Sequence, residues 1–184
     1  MNHIIQTEWL KIKTYRAFWY VMAITALSYP GINYIFFNAY KEITKKGSST
    51  GQMAQILLGN PFVFPETFHT AGYFSSFFIF IPAIVVSMMI TNEYTYKTHR
   101  QNIIDGWSRN EFLIGKFIDV LLITLLVTLL YFIVALIIGF ASTKAPVQDI
   151  FGKSSYVGLF ALQTFSQLSI AFLIGFLIFY PDFA

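Results

Sequence analysis

The chain has 184 residues, of which 56% are hydrophobic and only 11% are charged, whereas a soluble domain carries about 25% charged residues. This deficit excludes an ordinary soluble domain and predicts a lipid-facing surface. The net charge of +3 comes without a concentrated basic face, which argues against nucleic-acid binding. The absence of cysteine excludes disulfides, thiolate nucleophiles and cysteine-based metal sites. The length fits a single domain, 1–184.

The N-terminal segment predicts an amphipathic helix at the membrane interface, over about residues 3–16. Ile5, Trp9 and Ile12 recur at i, i+4 and i+7, which places them on one helical face, and charged residues flank that face. A simple extension of the first membrane span is the alternative.

Four apolar runs follow, and each is long enough to cross the hydrocarbon core as a helix, which takes roughly 20 residues. Tyr29-Pro30-Gly31 predicts an interruption within the first run. The alternative, four buried helices of a soluble protein, leaves almost no polar face to cover them. We therefore expect an all-α integral membrane protein with spans at about 17–39, 71–92, 117–141 and 156–180.

The distribution of Lys and Arg predicts that both termini are cytoplasmic. Seven basic residues, including all three arginines, then lie on the cytoplasmic side and five lie outside. Between the first two spans, Pro61 and Pro65 disfavour a regular helix, and Phe62, Phe64 and Phe68 are expected at the outer membrane interface.

No constellation of catalytic residues is evident. The three histidines lie in different segments, and the sequence contains no H-E-x-x-H, no G-x-S-x-G and no nucleotide-binding P-loop. The one charged residue inside a predicted span, Asp119, is favoured as an interfacial residue paired with Lys116 at i−3 rather than as part of a proton or ion path. The chain is therefore not expected to be an enzyme or to hold a cofactor or metal.

The last predicted span carries polar residues on one face, at i, i+3 and i+4: Gln163, Ser166 and Gln167. Helix packing and the lining of a transport pathway both use such side chains, and the sequence leaves both open.

The most polar segment, 93–116, lies between the second and third spans and holds seven of the chain's 21 charged residues. Asp105-Gly106 is a turn signal. Ser108 and Glu111 match a capping box, with Trp107 and Phe112 at the positions of a hydrophobic staple, so a helix is expected to start at Ser108 and to run into span three. Upstream, residues 93–104 can continue span two as a helix. This pattern is compatible with two functions. The segment could be a rigid loop that transmits force from a cytoplasmic partner, or it could only connect the two spans.

Two stretches, "TEWLKIKTYRAFW" near the N-terminus and "NEYTYKTHRQNIIDGWSRNEFLIGK" after span two, resemble the transmembrane subunits of ABC-2 type ABC transporters. Lys97 stands where that family often has Gly, and the Pro that often precedes the Ser-Arg pair is absent. The resemblance implies that the segment 93–116 is a coupling loop that docks on an ATPase. The predicted docking residues are Glu93, Thr98, Arg100, Asp105, Gly106, Ser108, Arg109 and Lys116.

The resemblance further implies a membrane-spanning permease subunit, an exporter, in the bacterial inner (cytoplasmic) membrane. Its partners would be a separate ABC ATPase subunit, which binds ATP and Mg, and a second permease copy or paralogue. Family permeases usually have six spans, so this chain is expected to be C-terminally incomplete. A non-transporting membrane scaffold that holds a cytoplasmic partner is the alternative function.

Overall fold

The computed structural model describes residues 2–44, 53, 56, 59–98, 104, 108–143 and 150–179. These residues contain helices and no strand, which confirms the predicted all-α class. The helices with defined bounds are α1 (Asn2–Thr14), α2 (Arg16–Ile43), α3 (Thr67–Ser76), α4 (Phe80–Thr95), α5 (Arg109–Ser142) and α6 (Ser155–Phe179).

Three of these helices, α2, α5 and α6, are long and apolar enough to cross a membrane. The pair formed by α3 and α4 passes the same test when its two helices are counted together. Within the described part of the chain, length and composition therefore allow three membrane spans, or four if the pair is one span.

The predicted span 71–92 is not one straight helix. It is divided into α3 and α4, which are bent by 49° at a short break. Pro82 explains the break, because it has no N–H to donate to the carbonyl of Phe78, and its ring crowds that carbonyl. The amide of Phe78 instead bonds the Ser75 carbonyl in a tighter turn, at 3.0 Å.

The interruption predicted at Tyr29-Pro30-Gly31 does not occur, because α2 continues through Pro30 as far as Ile43. One turn later, the Asn33 side-chain amide donates to the Tyr29 carbonyl at 2.9 Å and to Ser75 Oγ of α3 at 3.1 Å. Membrane helices tolerate proline where side chains and neighbouring helices supply polar contacts around it. Asn33 is buried and supplies such contacts here.

The chain forms two compact units. The first comprises Met1–Thr25, Ile79–Val127 and Leu162–Ala184, and its buried core includes Ile12, Val85 and Ile123. The second comprises Ala26–Phe78 and Thr128–Ala161. In its core, Tyr131 donates to the Phe68 carbonyl at 2.6 Å and stacks on Phe160.

The phenylalanines expected at the outer membrane interface are buried in the second unit. Phe62, Phe64 and Phe68 are each less than a tenth exposed. Phe64 contacts Phe140 of α5 with ring centroids 5.2 Å apart, and its ring lies so close to Gly139 that a β-carbon there would overlap it. Burial against neighbouring helices removes these large apolar rings from water more completely than an interfacial position would.

Candidate functional site

Five charged side chains of the first unit meet where α1, α4 and α5 come together. We call this group, Glu8, Lys11, Glu93, Lys116 and Asp119, the junction cluster. It contains the two ends of the predicted coupling loop, because Glu93 begins the segment 93–116 and Lys116 ends it. Lys116 Nζ lies 2.7 Å from Glu93 Oε1, so the structure joins the two ends of the loop directly.

The two lysines of the junction cluster bridge its carboxylates. Lys116 Nζ is paired with Glu8 Oε2 and, besides Glu93, with Asp119 Oδ2 at 3.2 Å. Lys11 Nζ lies 2.8 Å from Glu8 Oε1 and 2.9 Å from Glu93 Oε1. Glu8 and Glu93 thus each contact both lysines, and α1 is tied to α4 and to α5. The predicted pairing of Lys116 with Asp119 is confirmed.

Most of this charge is buried. The exposed fractions of the side chains are 2% for Glu8, 5% for Lys116, 6% for Asp119 and 10% for Glu93, against 29% for Lys11. Buried charges are stable only when they are paired and hydrogen-bonded. Burial alone would raise the pKa of Glu8, but Lys116, a hydrogen bond with Asp119 and Lys11 outweigh it and hold that pKa below its usual value.

A cavity of about 330 Å³ adjoins the junction cluster. Lys11, Glu93 and Lys116 border it, together with the polar side chains of Asn92 and Thr98 and several apolar and aromatic groups. No group of three or more metal-ligating side chains that could hold a metal ion occurs among the described residues. The carboxylates here face ammonium groups, so the arrangement holds helices together and places paired charges beside an opening.

The prediction that residues 93–104 continue span two as a helix is wrong beyond Thr95, because α4 ends there. The last helical residue is Thr95, and Lys97 follows with φ of 54°, in the left-handed region. The Lys97 amide bonds the Tyr94 carbonyl at 3.1 Å, and Thr98 Oγ1 donates to the Glu93 carbonyl at 3.4 Å. A left-handed residue after the last turn is a common helix ending, and glycine adopts it most easily.

The start of α5 is as predicted. Ser108 Oγ accepts from the Glu111 amide at 3.2 Å, and Glu111 Oε2 accepts from the Ser108 amide at 2.8 Å, so both halves of the capping box are present. Arg109 is the first residue of the helix. From this cap, α5 continues without a break through Lys116 to Ser142, and the second half of the loop is therefore helical.

Several predicted docking residues are outside the described residues: Arg100, Asp105 and Gly106, together with the staple residue Trp107 and the side chain of Arg109. The described residues Glu93 and Lys116 meet in the junction cluster, and Thr98 lies beside it. Ser108 stands apart at the helix start, where it is exposed.

The polar residues of α6 are exposed. Gln163, Ser166 and Gln167 all lie on the outside of the first unit, whereas Thr164 and Leu168 of the same helix are buried. Packing inside the unit therefore does not account for this polar face.

Glu8 and Lys11 were not among the site residues predicted from the sequence, although both stand in the stretch that resembles the family's N-terminal helix. A signal was available, since an acidic and a basic residue at i and i+3 can form an ion pair on a helix. That signal is common on solvated helices, and it does not reveal that Glu8 is buried. The burial comes from contacts with α4 and α5, which lie far away in the chain.

Comparison with known proteins finds one family. A protein-family model described as "ABC-2 family transporter protein" matches residues 4–182, which is nearly the whole chain. Searches of curated proteins and of solved structures find no match.

Proposed function

The chain belongs to the ABC-2 family of transporters, and we propose that it is the permease subunit of an ATP-driven exporter, coupled to a separate ATPase through the loop 93–116. Members of this family are multi-pass membrane proteins that serve as the non-catalytic membrane component of an ABC transporter. Coupling through the loop and the export direction are the proposed steps beyond family membership.

The observation that supports coupling is the closure of the loop at its base. Glu93 and Lys116 pair at 2.7 Å, and Glu8 and Lys11 of α1 hold the same two groups. A loop with loose ends would absorb a displacement of its tip. A loop whose two ends are joined to each other and to α1 passes that displacement to α4 and α5, because packed elements move as units rather than deform continuously.

The remaining assignments follow from the same proposal. The loop reaches an ATPase only from the cytoplasm, so the N-terminus is cytoplasmic, as the basic residues of that side favour. The membrane is the bacterial cytoplasmic membrane, and ATP and Mg bind to the partner. A second permease copy or paralogue completes the transporter, and the exposed polar face of α6, with Gln163, Ser166 and Gln167, is available to line the pathway.

Co-purification tests the docking proposal. The tagged chain, extracted from its native membrane, is expected to capture a P-loop ATPase identified by mass spectrometry. Arg100→Glu should reduce this capture by tenfold or more, because losing one partner of a buried charged hydrogen bond costs about 2–5 kcal/mol. Lys41→Glu is the matched control, since it reverses an exposed charge in the last turn of α2, on the opposite side of the membrane.

Equal capture by the wild type and by Arg100→Glu, with both proteins inserted in the membrane, would contradict docking through this loop. Loss of capture by Lys41→Glu alone would contradict the proposed orientation. A chain that captures no ATPase under conditions where it remains folded would contradict the ATP-driven permease itself.

A further inference from the structure

We propose that Asp119 is a proton-binding site, in which the protonated carboxyl group donates a hydrogen bond to the Glu8 carboxylate within the junction cluster. The site lies at the cytoplasmic start of α5. It differs from the docking surface of the loop, and it does not depend on the identity of the ATPase.

The two lysines of the junction cluster are shared unequally among its acids. Lys116 faces three carboxyl groups, and its contact with Asp119, at 3.2 Å, is longer than its contacts with Glu8 and Glu93. Glu8 and Glu93 each also contact Lys11. Lys116 is the only cation that the described part of the chain places beside Asp119. Of the three acids, Asp119 is therefore the one whose negative charge is least compensated.

One oxygen of Asp119 has no hydrogen-bond partner among the described residues. Asp119 Oδ1 is buried and accepts no hydrogen bond in the described structure, and the side chain is only 6% exposed. An ionised carboxylate has two strong acceptor oxygens, and leaving one of them buried without a donor costs free energy. A protonated carboxyl group carries less negative charge and has a hydrogen to donate.

Asp119 lies next to a second acid of the junction cluster, Glu8. Asp119 and Glu8 are within hydrogen-bond reach of each other, and two carboxyl groups can form such a bond only if one of them carries a proton. Among the described residues, the other charged groups that face the pair are Lys11 on α1, Glu93 on α4 and Lys116 on α5. Phe172 of α6 lines the small cavity beside Asp119.

The space beside Asp119 is small and mostly apolar. The cavity that touches Asp119 has a volume of about 10 Å³, and apart from Lys116 its other walls are apolar. That volume is at the lower limit for one water molecule, and a buried water also needs two to four polar partners. Burial beside a single, shared cation and mostly apolar walls therefore favours the neutral acid form of Asp119.

Infrared spectroscopy of the full chain in lipid vesicles at neutral pH tests the proposal. We expect the carbonyl stretch of a protonated carboxylic acid in the wild type and its loss in Asp119→Asn, which keeps the shape of the neutral group. Glu66→Gln is the matched control, because Glu66 pairs with Lys153 at 2.5 Å in a half-exposed position outside the junction cluster. This control should leave the band unchanged.

The absence of a protonated-acid band in the wild type would overturn the proposal, and so would a band that persists in folded Asp119→Asn. If Asp119→Asn does not fold, the wild-type band is assigned by its shift in Glu8→Gln, which alters the acceptor of the proposed hydrogen bond. A band unmoved by Glu8→Gln would contradict the site. Thermal unfolding supplies a second measurement, since Asp119→Asn should match the wild type whereas Asp119→Ala, which leaves a cavity, should unfold at a lower temperature.

Discussion

Replacing Lys116 by methionine should destabilise the junction cluster more than replacing any exposed lysine. Lys116 is 5% exposed at its side chain and contacts Glu8, Glu93 and Asp119. Methionine keeps most of the side-chain volume and the apolar contacts but removes the ammonium group. The carboxylates on α1 and α4 would then share Lys11 across the junction, and Asp119 would lose its cation.

The size of the effect follows from burial. Breaking a buried ion pair by removing one partner costs about 3–5 kcal/mol, because the remaining charge is left uncompensated. Exposed ion pairs contribute only about 0–1 kcal/mol. Lys116 belongs to the first class, so we expect Lys116→Met to lower the free energy of unfolding by about 3–5 kcal/mol. Lys13→Met, at an exposed position of α1, should change it by no more than about 0.5 kcal/mol.

The measurement is equilibrium unfolding of the purified chain in mixed micelles, with helix content as the signal. Glu8→Gln combined with Lys116→Met completes a double-mutant cycle, and residues of one ionic network typically couple by about 0.5–3 kcal/mol. The double variant should therefore be more stable than the sum of the single changes implies. Equal stability of Lys116→Met and Lys13→Met, or strict additivity in the cycle, would refute the buried junction.

Three further variants probe local features by the same unfolding measurement. Gly139→Ala should destabilise the protein by about 1–3 kcal/mol, since its β-carbon overlaps the Phe64 ring, whereas Gly158→Ala, with open space around it, should not. Lys97→Gly should stabilise the end of α4 by up to about 1 kcal/mol because it removes a left-handed lysine, and an unchanged or lower stability would argue against that conformation. The pKa of Glu8 is below its usual 4.5, so the ionised Glu8 stabilises the folded protein above that pH, and this stabilisation is lost as the pH falls through the folded pKa. Glu8→Gln should therefore weaken the loss of stability at acid pH, and an unchanged loss would contradict the pairing of Glu8.

The features that could be predicted are those formed by residues close together in the sequence. The apolar runs predicted α2, α5 and α6 because roughly 20 apolar residues are a local signal for a span. The capping box needed only the spacing of Ser108 and Glu111, and its hydrogen bonds are present. In each case the interacting groups lie within one helical turn or one run of residues.

The junction cluster could not be predicted in this way, because its residues are far apart in the sequence. Lys11 and Glu93 are 82 residues apart, and Glu8 and Lys116 are 108 residues apart. A lone sequence does not specify which faces of α1 and α5 meet. The apolar face assigned to α1 contains Ile12, which is buried, and Trp9, which is half exposed, while the charged Glu8 beside them points into the protein.

The two prolines within apolar runs show that the local sequence alone does not determine whether a proline interrupts a helix. Pro82 divides the predicted second span, yet Pro30 lies inside a continuous helix. Each removes one backbone donor. Around Pro30, however, Asn33 bonds both its own helix and Ser75 of α3. The contact with Ser75 depends on a tertiary neighbour, so composition alone could not distinguish the two prolines.

The first two turns of α5 are too rigid to absorb a movement of the loop. From its capped start to Lys116 the helix covers eight residues, which is about 12 Å at 1.5 Å per residue. A capped helical segment of this length has no flexible joint, and its far end is fixed by three carboxyl groups. A force on the Ser108 end must therefore tilt or shift α5 as a whole or break the pairs of Lys116. Because those pairs also hold Glu8 and Glu93, α1 and α4 must either follow α5 or release it.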